Sequence, residues 1–407
     1  MHVEEIPIAS IVAKYGSPCY IYSQAVLHRQ WCAFDQLLQH SQQICYAVKA
    51  NSNLAILARL AKWGAGFDIV SGGELARVVQ AGGDVKKTVF SGVGKTSEEI
   101  KTALQANIGC FNVESEQELL RIEAIAKKLN QSAVIAFRIN PNIDAKTHPY
   151  ITTGLKETKF GMNENAALQL YRRAAKSKHI KIQGVSCHLG SQLTTLDPFL
   201  QAMEQLLNLT EQLEKENILL KTINLGGGLG IAYQSEKVPT PQVYCQKILA
   251  VLKKRNAKLH LIIEPGRAIT AQAGVLVTKV EYLKSNSDKN FAIVDAGMND
   301  LIRPALYHAE QNILPIVQPI ELPEKNYDVV GPICESSDFL GKNRLLSLQA
   351  GDYLAIMDSG AYGFSMSSNY NSRPRTAEIM VDKDQAFLIR SRETLEQLWE
   401  NEKIIAN

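Results

Sequence analysis

The chain lacks a long apolar run: nothing in its 407 residues approaches the roughly 20 consecutive apolar side chains that a membrane span requires. It also lacks a charge excess. Forty-four basic side chains face 41 acidic ones, for a formal charge of +3. No basic stripe is visible, so the electrostatic footprint of a nucleic-acid binder is missing. Paired cysteines are absent too. The seven present are scattered, odd in number and never spaced CxxC, which disfavours a disulfide framework and a zinc site and suits a reducing compartment. No metal is expected. The opening MHVEEIPIAS is acidic and has no signal-peptide core, so a cytoplasmic location is expected. Low-complexity bias is absent, and the length exceeds one average domain.

What is there is a regular alternation. Eight short buried-looking runs read as strands: Ile44–Val48, Phe67–Val70, Thr88–Phe90, Cys110–Val113, Val134–Ile139, Ile182–Cys187, Thr222–Leu225 and Leu259–Ile263. They are continuous rather than alternating, as parallel strands covered on both faces are. Helix signals separate them. Asn53–Lys62 places Leu54, Leu57, Ala58 and Ala61 on one face, and Glu74–Ala81 stops at Gly82-Gly83. Ser97-Glu98-Glu99 opens another helix, and Ser115 to Glu118 reads as a capping box. Pro198–Glu216 and Pro241–Lys254 are the last two long helices. The expected fold class is α/β: a (β/α)8 barrel of the TIM type, followed by a mostly antiparallel C-terminal β domain. That second domain is predicted from Gly274–Tyr282, Asn290–Val294, Tyr327–Val330, Tyr353–Met357 and Ala377–Val381, which are β-branched and closely spaced. Pro18–Tyr22 reads as a further strand joining it. The expected division is 1–28 with the β domain, 29–270 as the barrel, and 271–407 as the C-terminal sandwich or barrel.

Barrel chemistry sits at the C-terminal strand ends. Lys49, Ser71, Ser91, Glu114, Asn140, His188, Gly226–Gly228 and Glu264 follow the eight strands in order. Burying the Lys49 ammonium is costly, so it is either snorkelling at a strand end or tuned to form a Schiff base. The glycine run Gly226, Gly227, Gly228 and Gly230 is either a tight turn or an anion nest. It is not a Rossmann fingerprint, because Ile231 stands where the third glycine belongs, and Gly94-Lys95-Thr96 is not a Walker loop, because Val89 replaces its leading glycine. Glu264-Pro265-Gly266-Arg267 offers a structural ion pair or a carboxylate for a pyridinium nitrogen. His188 is a satisfied histidine or a flat ring for stacking. Lysine, phosphate loop, carboxylate and flat ring at one mouth describe a pyridoxal phosphate pocket.

The motifs YAVKAN, FDIVSGGE, HPYITTGLKETKFG, CHLGSQ, NLGGGLG, EPGR, GPICESSDFL and DSGAYGFSMSSNYNSRPR run in order from Tyr46 to Arg375. In these the chain resembles the barrel-type (fold type III) pyridoxal phosphate-dependent decarboxylases, most closely their diaminopimelate-decarboxylating branch. The resemblance implies that Lys49 carries the cofactor and His188 stacks on its ring. It implies that Ser191, Gly226, Gly227, Gly228 and the Gly266-Arg267 backbone hold phosphate, and that Glu264 pairs with the ring nitrogen. Arg267, Arg303 and Tyr307 are implied for substrate carboxylate, Tyr362 for cofactor and substrate, and Glu335 for the distal ammonium. Cys334 is implied as proton donor and, with Glu335, as coming from the second subunit of a homodimer with composite sites. Departures from the family pattern are Asn343 before Arg344 and Thr376 in place of a frequent proline. The reaction implied is meso-diaminopimelate to L-lysine and CO2. The rivals are decarboxylation of ornithine, arginine or carboxynorspermidine, an alanine-racemase-like activity, and a catalytically silent binding protein of the same fold. Glu335 argues against the ornithine type, which carries Asp there. Glu264 argues against the racemases, which set a cation at the ring nitrogen.

Overall fold

In the computed structural model, residues 1–38, 42–144, 153–154, 158–286, 288–317 and 322–405 are described. Much of the motif expected over 148–161 therefore lies outside the described residues. The chain forms two compact units, one of residues 31–232 and 237–268, the other of residues 1–30, 233–236 and 269–407.

The first unit is a closed barrel of eight parallel strands: Gln42–Ala47, Gly66–Ile69, Thr88–Phe90, Cys110–Val113, Ala133–Ile139, Ile180–Cys187, Thr222–Asn224 and His260–Ile263. They pair in chain order, and the eighth closes on the first through Leu261, Ile262 and Ile263 opposite Gln42, Gln43 and Ile44. All eight expected runs are strands, with ends shifted by a residue or two. The largest difference matters for function. The first strand stops at Ala47, and Lys49 sits on a single 3₁₀ turn, Val48–Ala50.

Side-chain caps start the helices between the strands. Asn53 caps Leu54–Lys62 rather than beginning it, and Ser71 caps Gly72–Gln80 by accepting from the Glu74 N–H. Thr96 and Glu99 form a full capping box on Ser97–Gln105. The box expected at Ser115 is only half made. Ser115 accepts from the Glu118 N–H at 3.2 Å. The Glu118 carboxylate, however, accepts from the buried Lys95 ammonium at 2.6 Å and from the Glu114 N–H at 2.8 Å. A buried ammonium needs that charge more than the Ser115 N–H needs a carboxylate acceptor. The helix Glu164–Ala174 was not among those read from the sequence.

The second unit is a mostly antiparallel sheet with Gly274–Ser285 at its centre. Cys19–Ser23 lies between that strand and Ala377–Asp382, antiparallel to the first and parallel to the second. Its core includes Cys19, Ile21, Val275, Val277, Ala355, Ile379 and Val381, packed with Ile8, Ile11 and Val12 of the helix Ile8–Tyr15. Gly274–Thr278 are continuously buried, as a central strand covered on both faces is, and from Tyr282 onward the strand runs out to solvent.

Candidate active site

A cavity of about 440 Å³ opens in the barrel unit, lined by Lys49, Asp68, Asn112, Arg138, His188 and Glu264 among others. Four residues singled out at the strand ends, Lys49, Ser91, His188 and Glu264, therefore meet. The strand ends bring them together. Ala47 donates its N–H to the Pro265 carbonyl at 3.2 Å, and Glu264 donates its N–H to the Gly226 carbonyl at 2.8 Å. Those two bonds tie the ends of the first, seventh and eighth strands into one rim.

Lys49 is a third exposed, and its ammonium pairs with the fully buried Asp68. Glu264 accepts from Asn224 Nδ2 at 2.6 Å and from Asn112 Nδ2 at 3.4 Å. Burial first, then the Asp68 charge, pushes the Glu264 carboxyl up; Lys49 opposes them. A cation placed against Glu264 would offset that cost. His188 accepts from the Gly227 N–H at its Nδ1, 3.1 Å away. Burial, helped by Arg138 and Lys49, holds its imidazole well below the ordinary histidine range, so the ring is neutral. Gly227 is required by crowding: a Cβ there would lie 2.2 Å from the Glu264 carbonyl oxygen.

The glycine loop is not a continuous nest. The N–H of Gly226 donates to Asn224 Oδ1 at 2.8 Å and that of Gly227 goes to His188. Beside the loop, Arg267 Nη2 donates to Ser191 Oγ at 2.9 Å, and the Gly228 carbonyl accepts from the Leu193 N–H. The other candidates belong to the second unit. Arg303 and Tyr307 share the short helix Arg303–Tyr307, with the Arg303 guanidinium 4.6 Å from the centre of the Tyr233 ring. Cys334 and Glu335 are exposed. The Cys334 N–H donates to Asn371 Oδ1, and the Glu335 carboxylate accepts from Tyr370 and Ser337 hydroxyls at 2.5 and 3.0 Å. Tyr362 has a left-handed backbone, φ 55°, which is costly for a bulky residue.

Asp68, Asn112 and Arg138 were not read from the sequence. Each interrupts a short apolar strand one residue before its end. That interruption was the available signal.

The barrel region, residues 24–271, matches the family model described as the pyridoxal binding domain of pyridoxal-dependent decarboxylases. The chain is 55% identical to a diaminopimelate decarboxylase of Vibrio cholerae over 99% of its length and 96% of the relative's. It is 54% identical to one of Haemophilus influenzae, covering all of this chain and 98% of that one. The chain belongs to the diaminopimelate decarboxylase family. A crystal structure of the Helicobacter pylori diaminopimelate decarboxylase, complexed with L-lysine, superposes with a TM-score of 0.93 at 44% identity, covering 97% of this chain and 99% of that one.

The cavity fits the cofactor such a family uses. It offers a primary amine, a flat neutral ring and a buried carboxylate. Two buried oxygens, Asp68 Oδ1 and Asn112 Oδ1, have no hydrogen-bond donor within the described residues. A polar aromatic ligand would meet that unmet demand.

Proposed function

We infer that this chain is a pyridoxal phosphate-dependent carboxy-lyase converting meso-2,6-diaminopimelate to L-lysine and CO2, the last step of lysine biosynthesis. The observation that carries the reading is the meeting of the Lys49 amine, the His188 ring and the Glu264 carboxylate in one cavity, in a family whose members are named for that reaction. When bound, pyridoxal phosphate supplies the electron sink for the pair left on Cα as CO2 departs.

The chain's residues do the rest. Lys49 holds the cofactor and yields its place to the substrate amine, and Asp68 keeps a counter-charge beside the released ammonium. Glu264 stabilises positive charge at the ring nitrogen. Asn224 and Asn112 fix its carboxylate in place. His188 presents a flat face oriented by the Gly227 N–H. Ser191, Gly226, Gly227, Gly228, Gly266 and Arg267 form the phosphate site. Because the Gly226 and Gly227 N–H groups are used internally, those two shape the loop. The anion is read by Gly228, the Gly266-Arg267 backbone and the Ser191 hydroxyl, with the Arg267 guanidinium adding charge.

Arg267, Arg303 and Tyr307 take substrate carboxylate, Glu335 takes the distal ammonium, and Tyr362 touches substrate and cofactor. Cys334 returns a proton to Cα, with Lys49 as the second donor. Residues 29–270 supply most of the cofactor contacts and, through Arg267, one to the substrate, whereas 271–407, grouped with 1–28, supply the remaining substrate-reading residues and the Tyr362 contact to the cofactor. Cys334 and Glu335 complete the site of the second subunit in a homodimer. The location is the cytoplasm. All seven cysteines are free, and no helix among the described residues is long and apolar enough to cross a membrane.

The test is a product assay on an amino-acid panel. Lysine and CO2 are expected from meso-diaminopimelate, with ornithine, arginine and carboxynorspermidine at least about 100-fold poorer in kcat/KM, a gap of ~2.7 kcal/mol. Comparable turnover of ornithine, or no turnover at all, overturns the reading.

A further inference from the structure

Glu114 is a carboxylate behind the cavity wall. It is buried and does not itself line the cavity. Three donors converge on it. Oε1 accepts from Arg138 Nη1 at 2.8 Å and from the Gly92 N–H at 3.1 Å, and Oε2 accepts from the Gly161 N–H at 2.9 Å. Two of these donors, Arg138 and Gly92, line the cavity, and so does Phe160, the neighbour of the third.

Each contact is backed by a second. The Gly92 carbonyl accepts from the buried Lys95 ammonium at 2.8 Å, so the loop after the third strand is held from both sides. Phe160 lies under the Arg138 guanidinium, 4.9 Å from ring centre to Cζ. Met162 donates its N–H to the Arg138 carbonyl, and Asn140 donates to the Met162 carbonyl. The segment around Gly161 is thus stitched to the end of the fifth strand. It must be glycine, because φ is +64° and a Cβ would lie 3.0 Å from the Asn140 nitrogen. One carboxylate therefore joins three segments: the loop after the third strand, the fifth strand, and the Phe160–Met162 stretch.

Arg138 has competitors for its charge. Asp68 and Glu264 line the same cavity, and an unheld guanidinium would be drawn toward them. If it reached Glu264, it would occupy the carboxylate that the preceding reading assigns to the ring nitrogen.

We propose that Glu114 is a positioning residue of the cofactor cavity: it reserves Arg138, away from Glu264 and Asp68, and fixes the wall of Gly92, Arg138 and Phe160. This rests on the cofactor reading above. Glu114 acts through Arg138, so the pair behaves as a unit.

The experiment measures pyridoxal phosphate affinity by quenching of intrinsic fluorescence in the full chain stripped of cofactor. Thermal melting of the same preparations runs in parallel. Glu114→Gln is expected to weaken binding at least about tenfold, equivalent to ~1.4 kcal/mol, and the double variant Glu114→Gln with Arg138→Met no more than Arg138→Met alone. Three outcomes overturn the proposal. One is a Glu114→Gln affinity within twofold of wild type, even with a lowered melting temperature, which leaves a purely structural role. Another is additive losses in the double variant. The last is a Glu114→Leu, Arg138→Met pair that binds at least about tenfold more weakly than Arg138→Met alone, a charge-neutral comparison that remains informative should Glu114→Gln not fold. If the wild-type chain binds no pyridoxal phosphate, the cofactor reading itself has failed, and this one with it.

Discussion

The two units present their candidate residues differently. In the barrel unit, Asp68 and Glu264 are buried and His188 is half-buried; Asp68 pairs with Lys49, Glu264 is held by Asn224 and Asn112, and His188 by the Gly227 N–H. In the second unit, Cys334 and Glu335 lie exposed on a loop, and the Glu335 carboxylate accepts from the Tyr370 and Ser337 hydroxyls. Strand ends are rigid because hydrogen bonds fix them on two sides, so they suit groups that must tune a cofactor's charge. Loops tolerate exposure and variation, and suit groups that read a substrate. The contrast implies that both kinds of substitution abolish chemistry in a single chain, but that the loss of a loop residue is complemented by a chain carrying a barrel-mouth defect.

The strongest way to break that contrast is Lys49→Ala. Decarboxylation should fall by about 10⁴-fold or more, since Lys49 is the one lysine lining the cavity among the described residues. Circular dichroism should be unchanged, because Lys49 sits on a single three-residue 3₁₀ turn and its side chain points into the cavity rather than the packed core. Residual turnover above a thousandth of wild type would show that the barrel mouth is not where the cofactor is held. Next is Glu264→Gln. The amide keeps the hydrogen bonds to Asn224 and Asn112 in part but loses the charge, and the rate should drop at least about tenfold, ~1.4 kcal/mol. A smaller loss removes the carboxylate from the ring nitrogen.

A third test addresses the loop. Inactive Lys49→Ala and Cys334→Ala chains are mixed, and subunit exchange is verified separately. If loops complete a neighbour's site, each heterodimer holds one site with both defects and one with neither. Activity then returns toward half of wild type per heterodimer. Mixing that restores nothing confines Cys334 to its own chain.

The smallest effect expected is on stability. Glu74 is half-buried, its carboxylate accepting from the Val70 N–H at 2.7 Å, and desolvation raises its carboxyl to about 7 against Lys49's opposing pull. A folded-state value above the unfolded one means the folded chain binds the extra proton between pH 4.5 and 7. Its contribution is therefore full below pH 4.5 and lost as pH rises through 7. Glu74→Gln should melt higher than wild type at pH 8 and show no gain at pH 4. Equal shifts at both pH values would assign the effect to packing rather than charge.

Much of this was legible in the chain. The continuous apolar runs announce parallel strands because both faces of each are covered, and eight of them at helical spacing leave few closures other than a barrel. Cys19–Ser23 was recognisable as belonging with the C-terminal strands because it precedes the first barrel strand. Lys49, His188 and Glu264 were legible because each stands just past an apolar run, where a charge or an imidazole is out of place. The caps were read less well. Ser115 kept its role, but Glu118 was drawn to Lys95, a partner 23 residues away in sequence that no local pattern reveals.

Asp68, Asn112 and Arg138 escaped for one physical reason, whereas Glu114 was legible as the residue after the fourth strand but its partners were not. In a strand, the side chains of neighbouring residues point to opposite faces, so a single polar residue in FDIV, CFNV or VIAFRI carries no sign of facing inward. Register decides it. Arg138 pairs with Ser186, and Ser186 with Asn224, which sets those side chains level in one layer, while Asp68 stands level with Ala47, two residues before Lys49. Likewise, nothing local shows that Gly92, Arg138 and Gly161 would donate to one carboxylate. The sequence determined which elements form and which residues end them, because propensity, capping and burial are local. The tertiary structure alone decided which polar groups share a cavity. Barrel closure sets the stagger between strands, and that stagger is a property of all eight together.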